Sequence, residues 1–221
     1  MIRLFHKYLS LVISIQLLLW TISGIYFAFN KIELVRGEQY LIEQKVSKLN
    51  LKEVESSFSG KNVNFVRRLD EWIIKVETDS GFSYTDLQGQ NLDELNAEEV
   101  REVVRQSTNL KPLMALRIDK PEIRAEFRGR NLPIFQVATS TTDNINVYVD
   151  AFTGEVTAIR SDSWRIWDFL WGAHIIDYSE RENINNFLIK ILSILALLSS
   201  LSGIVLFFKT FKFKYKNPKI Q

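Results

Sequence analysis

Two long apolar runs frame the pattern of hydrophobic and polar positions. Leu9 to Phe29 reads LSLVISIQLLLWTISGIYFAF, with no formal charge and no proline. As a helix rising about 1.5 Å per residue it spans roughly 31 Å, the thickness of a bilayer's hydrocarbon core. A soluble core helix of that length would show a charged face, and this run shows none. Arg3 and Lys7 give it the positive start of a signal peptide. The run is longer than the roughly 7–15 residues of a signal core, however, and no small-residue cleavage site follows. The expectation is an uncleaved membrane anchor. The second run, Phe187 to Phe208, holds one charge, Lys190, a turn inside its start, where a long stem lets the amine snorkel outward.

Between the runs the pattern shortens. Leu49-Asn50-Leu51-Lys52-Glu53-Val54 and Leu95-Asn96-Ala97-Glu98-Glu99-Val100 both spell L-N-x-x-E-V. Asn caps first-turn amides and Glu three residues on reaches back, so each reads as a helix start. Trp72 to Thr78 alternates, and Ile123, Ala125 and Phe127 alternate against Glu122, Arg124, Glu126 and Arg128. Both read as strands with one wet face. Tyr84-Thr85-Asp86 then Gly89, and Tyr148-Val149-Asp150 then Gly154, bracket tight turns in which glycine supplies a positive φ. The reading is a helix followed by a small antiparallel meander, twice over, in an α+β chain.

Charge adds a direction. The net charge is +2, yet all 26 acidic residues lie between positions 30 and 186, where only 20 Lys+Arg accompany them for a net of −6. The remaining basic residues are Arg3, Lys7, Lys190, Lys209, Lys212, Lys214, Lys216 and Lys219. Basic flanks on both runs are the positive-inside signature. They place the termini in the cytoplasm and residues 30–186 on the far side, the periplasm of a bacterial inner membrane. A basic tail beside a span reads as a lipid-headgroup contact rather than a nucleic-acid one. The chain has no cysteine, which excludes disulfides, a thiol nucleophile and a thiolate metal site.

This arrangement resembles the PepSY domain family, whose units carry a helix and a meander ending in a strand and turn of the form Y-x-D…G-E. YVDAFTGEV in the second copy is the better match. HKYLSLVISIQLLLWTISGIYF resembles the first span of PepSY-associated membrane proteins, and WDFLWGAHIIDYSERENINN with the run ending LSGIVLFF resembles their closing unit. The division that follows is a leader (1–8), first span (9–29), connector (30–48), PepSY-like repeats (49–94 and 95–160), a Trp-rich interfacial segment (161–186), second span (187–208) and basic tail (209–221). The resemblance implies two transmembrane helices flanking a periplasmic tandem PepSY-like domain with an inhibitory or interaction role. The partners would be the bilayer and a periplasmic or membrane protein, a second copy of the chain included. Some larger family members, with four spans, are haem-containing reductases of ferric-siderophore uptake. This chain has two spans.

Trp164, Trp167, Trp171, His174 and Tyr178 fall within about 80° of one another on a helix. Two readings stand. One is an interfacial helix with an indole belt. The other is a cofactor wall, with His174 an axial haem ligand beside Trp167 and Trp171. His6, the only other histidine, is either an interfacial residue or a second ligand. His6 and His174 belong to opposite membrane faces, so one chain cannot place both on one iron. Gln16, deep in the first span, is expected to hydrogen-bond another helix. Gly24-x-x-x-Ala28 and Ser199-x-x-x-Gly203 allow close helix approach. Arg124, Arg128 and Arg130, interleaved with Glu122 and Glu126, read as a solvated strand face or as an anion-binding site. There is no H-E-x-x-H, G-x-S-x-G or Walker loop. The reading favours a non-enzymatic module; if the chain is an enzyme, the family resemblance implies a haem-dependent membrane reductase.

Overall fold

A computed structural model describes residues 1–43, 48–55 and 58–211. Among the described residues, helices α1 (Ile2–Phe29), α2 (Ile32–Val35), α3 (Ala97–Ser107), α4 (Asp162–Ile175) and α5 (Phe187–Thr210) accompany seven strands. These are β1 (Asn62–Arg68), β2 (Glu71–Thr78), β3 (Gly81–Thr85), β4 (Pro112–Ile118), β5 (Ile134–Thr139), β6 (Asn146–Asp150) and β7 (Val156–Arg160). The chain divides into two compact units, a helix unit of residues 1–29 and 168–221 and a lobe of residues 30–167.

In the helix unit α1 and α5 are both long and apolar enough to cross a membrane. α1 takes in most of the leader as well, for 28 residues or about 42 Å. The two helices run antiparallel, with Ser10 Oγ 2.8 Å from Ser199 Oγ and His6 Nδ1 2.9 Å from Ser202 Oγ. Their outward faces are greasy: Leu11, Ile15, Leu18, Leu197 and Leu201 are all more than half exposed. Such a surface is untenable in water and ordinary in hydrocarbon, where the helices satisfy their own backbone groups. Asn186 caps α5 by accepting from the Ile189 amide. The lysines expected beyond α5 at 212, 214, 216 and 219 lie outside the described residues.

In the lobe two antiparallel meanders follow one another, β1-β2-β3 and β4-β5-β6-β7. Asn96 and Glu99 form a complete capping box on α3, as the L-N-x-x-E-V signature predicts. α3 turns Val100, Val103 and Val104 onto the second sheet, where they meet Phe135, Val137, Val147 and Val149. The Asp150 carboxylate accepts from the Phe152 and Thr153 amides and shapes the β6–β7 turn. Gly154 closes that turn at φ +71°, and a Cβ there would press on Val103 and Leu95 at 3.1 and 3.2 Å. Glycine is thus fixed both by its φ and by the packing of the turn on α3.

Two expectations fail. Among the described residues the first L-N-x-x-E-V gives one 3-10 turn, Leu51–Glu53. The cap is present, with Asn50 accepting from the Lys52 amide, but three serines and Gly60, all of lower helix propensity than alanine, follow within seven residues. The alternation at 122–128 is not a strand but a loop covering the second sheet's other face. Arg124 sits at φ +62° and Gly129 at +73°, which breaks an extended run. Phe127 alone of the supposed apolar face is buried, packing on Ile134, Tyr148 and Ala158, whereas Ile123 is 83% exposed.

Candidate functional site

α1 carries a seam at positions 6, 10, 13, 16, 20, 23 and 27, a spacing of three or four that keeps one face turned inward. His6, Ser10 and Ile13 occupy one end, and Gln16, Trp20, Ser23 and Phe27 the other. At the first end His6 lies against α5. Its Nδ1 pairs with Ser202, and a Cβ at Gly203 would stand 3.0 Å from its Cε1, so the glycine makes room for the ring. Gly203 therefore serves the α1–α5 approach, whereas a Cβ at Gly24 would meet nothing within 4 Å.

At the second end the seam receives the last turn of α4. Gln16 Nε2 donates to the Ala173 carbonyl at 3.2 Å, and Trp20 Nε1 donates to the His174 carbonyl at 2.6 Å. Two of the carbonyls that α4 leaves unpaired at its end are thereby satisfied. Gln16 does bond another helix, as its depth in the span implies.

His174 projects from this turn onto α1. Its Nδ1 is 2.7 Å from Ser23 Oγ. The Trp171 ring lies parallel to it at 6.4 Å, and Phe27 and Trp20 stand at 5.7 and 6.3 Å. Ser23 is fully buried and has one proton; its hydroxyl also lies 2.7 Å from the Leu19 carbonyl. Donating to Leu19 leaves the oxygen to accept from Nδ1–H, and the neutral ring then keeps its lone pair on Nε2. Burial favours that neutral form and lowers the His174 pKa from the usual histidine value.

Below His174 the chain reverses. Ile176 adopts φ +57°, and the Asp177 amide bonds the Gly172 carbonyl. The Asp177 carboxylate accepts from the amides of Ser179, Glu180, Glu182 and Asn183 and from the Ser179 hydroxyl. These bonds hold its pKa well below the usual carboxylate range. Arg181 folds back over Gly172, where a Cβ would meet its Cγ at 2.7 Å, and pairs with the buried Asp168 at 2.5 Å.

Of the residues singled out from the sequence, Trp171 and His174 meet on one helix face and Gly172 does not break it. Tyr178 lies beyond the end of α4 and is 53% exposed, so the stripe stops at His174. Trp167 is half-buried and belongs to the lobe, as does buried Trp164. His6 and His174 are not brought together. They engage α1 seventeen residues apart, at His6 itself and at Ser23, roughly 26 Å along the axis. Trp20, Ser23 and Phe27 are the partners of His174 that sequence reasoning missed, although their spacing with Gln16 is visible in the sequence. Among the described residues no three of His, Cys, Asp and Glu are grouped to hold a metal ion.

In the lobe β4 is a terminal strand, paired only with β5. Leu113, Met114 and Leu116 on it are 57%, 63% and 55% exposed.

A family model described as the PepSY-associated TM region matches residues 3–220. No curated protein and no solved structure matches the chain.

Proposed function

The chain belongs to the PepSY-associated transmembrane family, a family of membrane proteins, and from that premise we propose that it is a binding or regulatory subunit. The lobe is its recognition module, a PepSY-like tandem whose first unit keeps a meander and, among the described residues, shows only a 3-10 turn where the second has a helix. It faces the periplasm of a bacterial inner membrane, with both termini in the cytoplasm, in keeping with the lysines and arginines flanking each span.

The observation that carries this reading is β4. An edge strand presents unpaired backbone groups, and soluble proteins blunt such edges with charge. This one carries exposed Leu113, Met114 and Leu116 beside a single charge, Arg117, which is paired with Glu94, while the Leu113 carbonyl accepts from Arg101. The occupant that fits is an extended segment of a membrane or envelope protein, added as a further strand, with backbone bonds for affinity and apolar pockets for alternate side chains. A photocrosslinking residue at Met114 or Leu116, in the full chain in its native membrane, tests it. The expected result is one discrete adduct that a crosslinker at the exposed Asp79 does not give. No adduct at either strand position, or the same adducts from Asp79, overturns the reading.

A second reading rests on His174. A ring with one nitrogen engaged by Ser23 and a lone pair on the other, walled by Trp20, Phe27 and Trp171, is suited to ligate haem iron. The chain offers one imidazole at each end of the seam, so a second copy would supply the second ligand to an iron at either level. Bound haem would supply one-electron chemistry; the residues here would bind and orient it. Protein purified in mild detergent would then show a Soret band that His174→Ala removes. A colourless, correctly assembled protein defeats this reading.

A further inference from the structure

The open edge of β4 has one closed end and one regular stretch. The strand slips out of register with β5 between Pro112 and Met114, and at that bulge the Leu113 carbonyl accepts from Arg101 Nη1 at 3.4 Å. A bulge and a guanidinium together blunt this end. From Met114 to Ile118 the pairing with β5 is regular, residue for residue. Along that stretch Met114, Leu116 and Ile118 share one face of the sheet, and Ala115 and Arg117 share the other.

This stretch is complementary to itself. In a pair of identical antiparallel strands related by a two-fold axis, residue i meets j and j meets i. Centring the pair on Leu116 sets Leu116 against its own copy, Met114 against Ile118, and Ala115 against Arg117. Apolar side chains then meet apolar side chains along the whole of one face. On the other face the small Ala115 leaves room for Arg117. The Arg117 charge is already held, by Glu94 at 2.7 and 3.0 Å and by Asp119 at 3.2 Å. Centring on Arg117 would set two guanidinium groups directly opposite, and centring on Ala115 or Met114 would draw the bulge into the pair.

We propose that β4 pairs antiparallel with β4 of a second copy of the chain, about Leu116, joining two four-stranded sheets into one. The pairing rests on β4 being the recognition edge, and it makes the extended segment the chain's own. Anchoring by α1 and α5 confines both copies to one membrane, which raises the concentration of each lobe at the other and lets a short contact suffice.

The test exploits the absence of cysteine, so that one introduced thiol reports one position. The full chain carrying Leu116→Cys is oxidised in its native membrane. A disulfide-linked band at twice the chain mass is expected, because directly opposed residues stand about 4.5–5.5 Å apart at Cβ. Met114→Cys, also exposed, gives no such band, since its two copies lie about 13 Å apart in this register. A photocrosslinker at Met114 gives an adduct at twice the chain mass. Adding Leu116→Lys sets like charges across the axis and removes that adduct, with the melting temperature unchanged. No band from Leu116→Cys, or equal bands from Leu116→Cys and Met114→Cys, overturns the proposal. A Met114 photo-adduct of another mass overturns it while leaving β4 as the recognition edge; loss of every adduct overturns both.

Discussion

Ser23 Oγ and His174 Nδ1 lie 2.7 Å apart and join the first helix of the chain to the last turn of α4. Ser23→Ala removes the acceptor and leaves a half-buried ring nitrogen without that partner. The expected loss is about 1–3 kcal/mol, read as a lower midpoint in denaturant. Because burial depresses the folded pKa of His174 below its unfolded value, the unfolded chain takes up the proton first as pH falls. Stability from this group is full above about 6.5 and declines as pH drops through 6.5 toward the folded pKa. The melting temperature therefore falls between pH 8 and pH 5.5, and His174→Gln flattens that part of the profile.

Gly203 faces His6 with room for a hydrogen only. Gly203→Val forces the imidazole away from Ser202 and opens the α1–α5 approach. The lost hydrogen bond costs about 0.6–1.7 kcal/mol, and the lost packing adds to it. Unfolding in mixed micelles measures the sum. Gly24→Val, made where a Cβ meets nothing within 4 Å, leaves the midpoint of the isolated chain unchanged.

Asp168 and Arg181 form a pair whose acid is nearly fully buried. Asp168→Ala strands the guanidinium and costs about 3–5 kcal/mol. The double variant Asp168→Ala with Arg181→Met removes the orphaned charge and recovers much of that loss. Thermal melts of the two variants, compared in one cycle, check it.

Asn96 and Asn50 open identical signatures with different outcomes. Asn96→Ala breaks a complete capping box on an eleven-residue helix and destabilises the lobe by about 0.5–2 kcal/mol. Asn50→Ala acts on a single exposed turn and stays within about 0.5 kcal/mol of wild type. Amide exchange of α3 separates the two effects.

That contrast marks where the sequence could be read and where it could not. An uncharged run of bilayer length has few structural solutions, so α1 and α5 are plain from composition. A cap followed by valines at helical spacing gives α3, and Asp with Gly at fixed offsets gives the β6–β7 turn. The same cap at Asn50 opens only a 3-10 turn among the described residues, even though Val54 and Phe58 follow it at helical spacing, so the signature alone does not make a helix. The alternation around Ile123 misleads because its polar partners are arginines and glutamates, which leave a strand face and a charged loop looking alike. Only the register of α1 against α5 reveals that His6 meets Ser202, and no local pattern encodes a register. The partners of His174 are visible as a spacing on α1, but their target lies some 150 residues away in the chain.

The contact between α1 and α5 includes hydroxyls and an imidazole. Ser10, Ser199, Ser202 and His6 adhere because hydrocarbon offers them no competing donors or acceptors. Water admitted to that line would exchange with each bond at little cost. The lipid is thus a component of the fold rather than its container. Short-chain surfactants that wet the line should part the helices while the lobe, with its own valine-rich interior, stays intact.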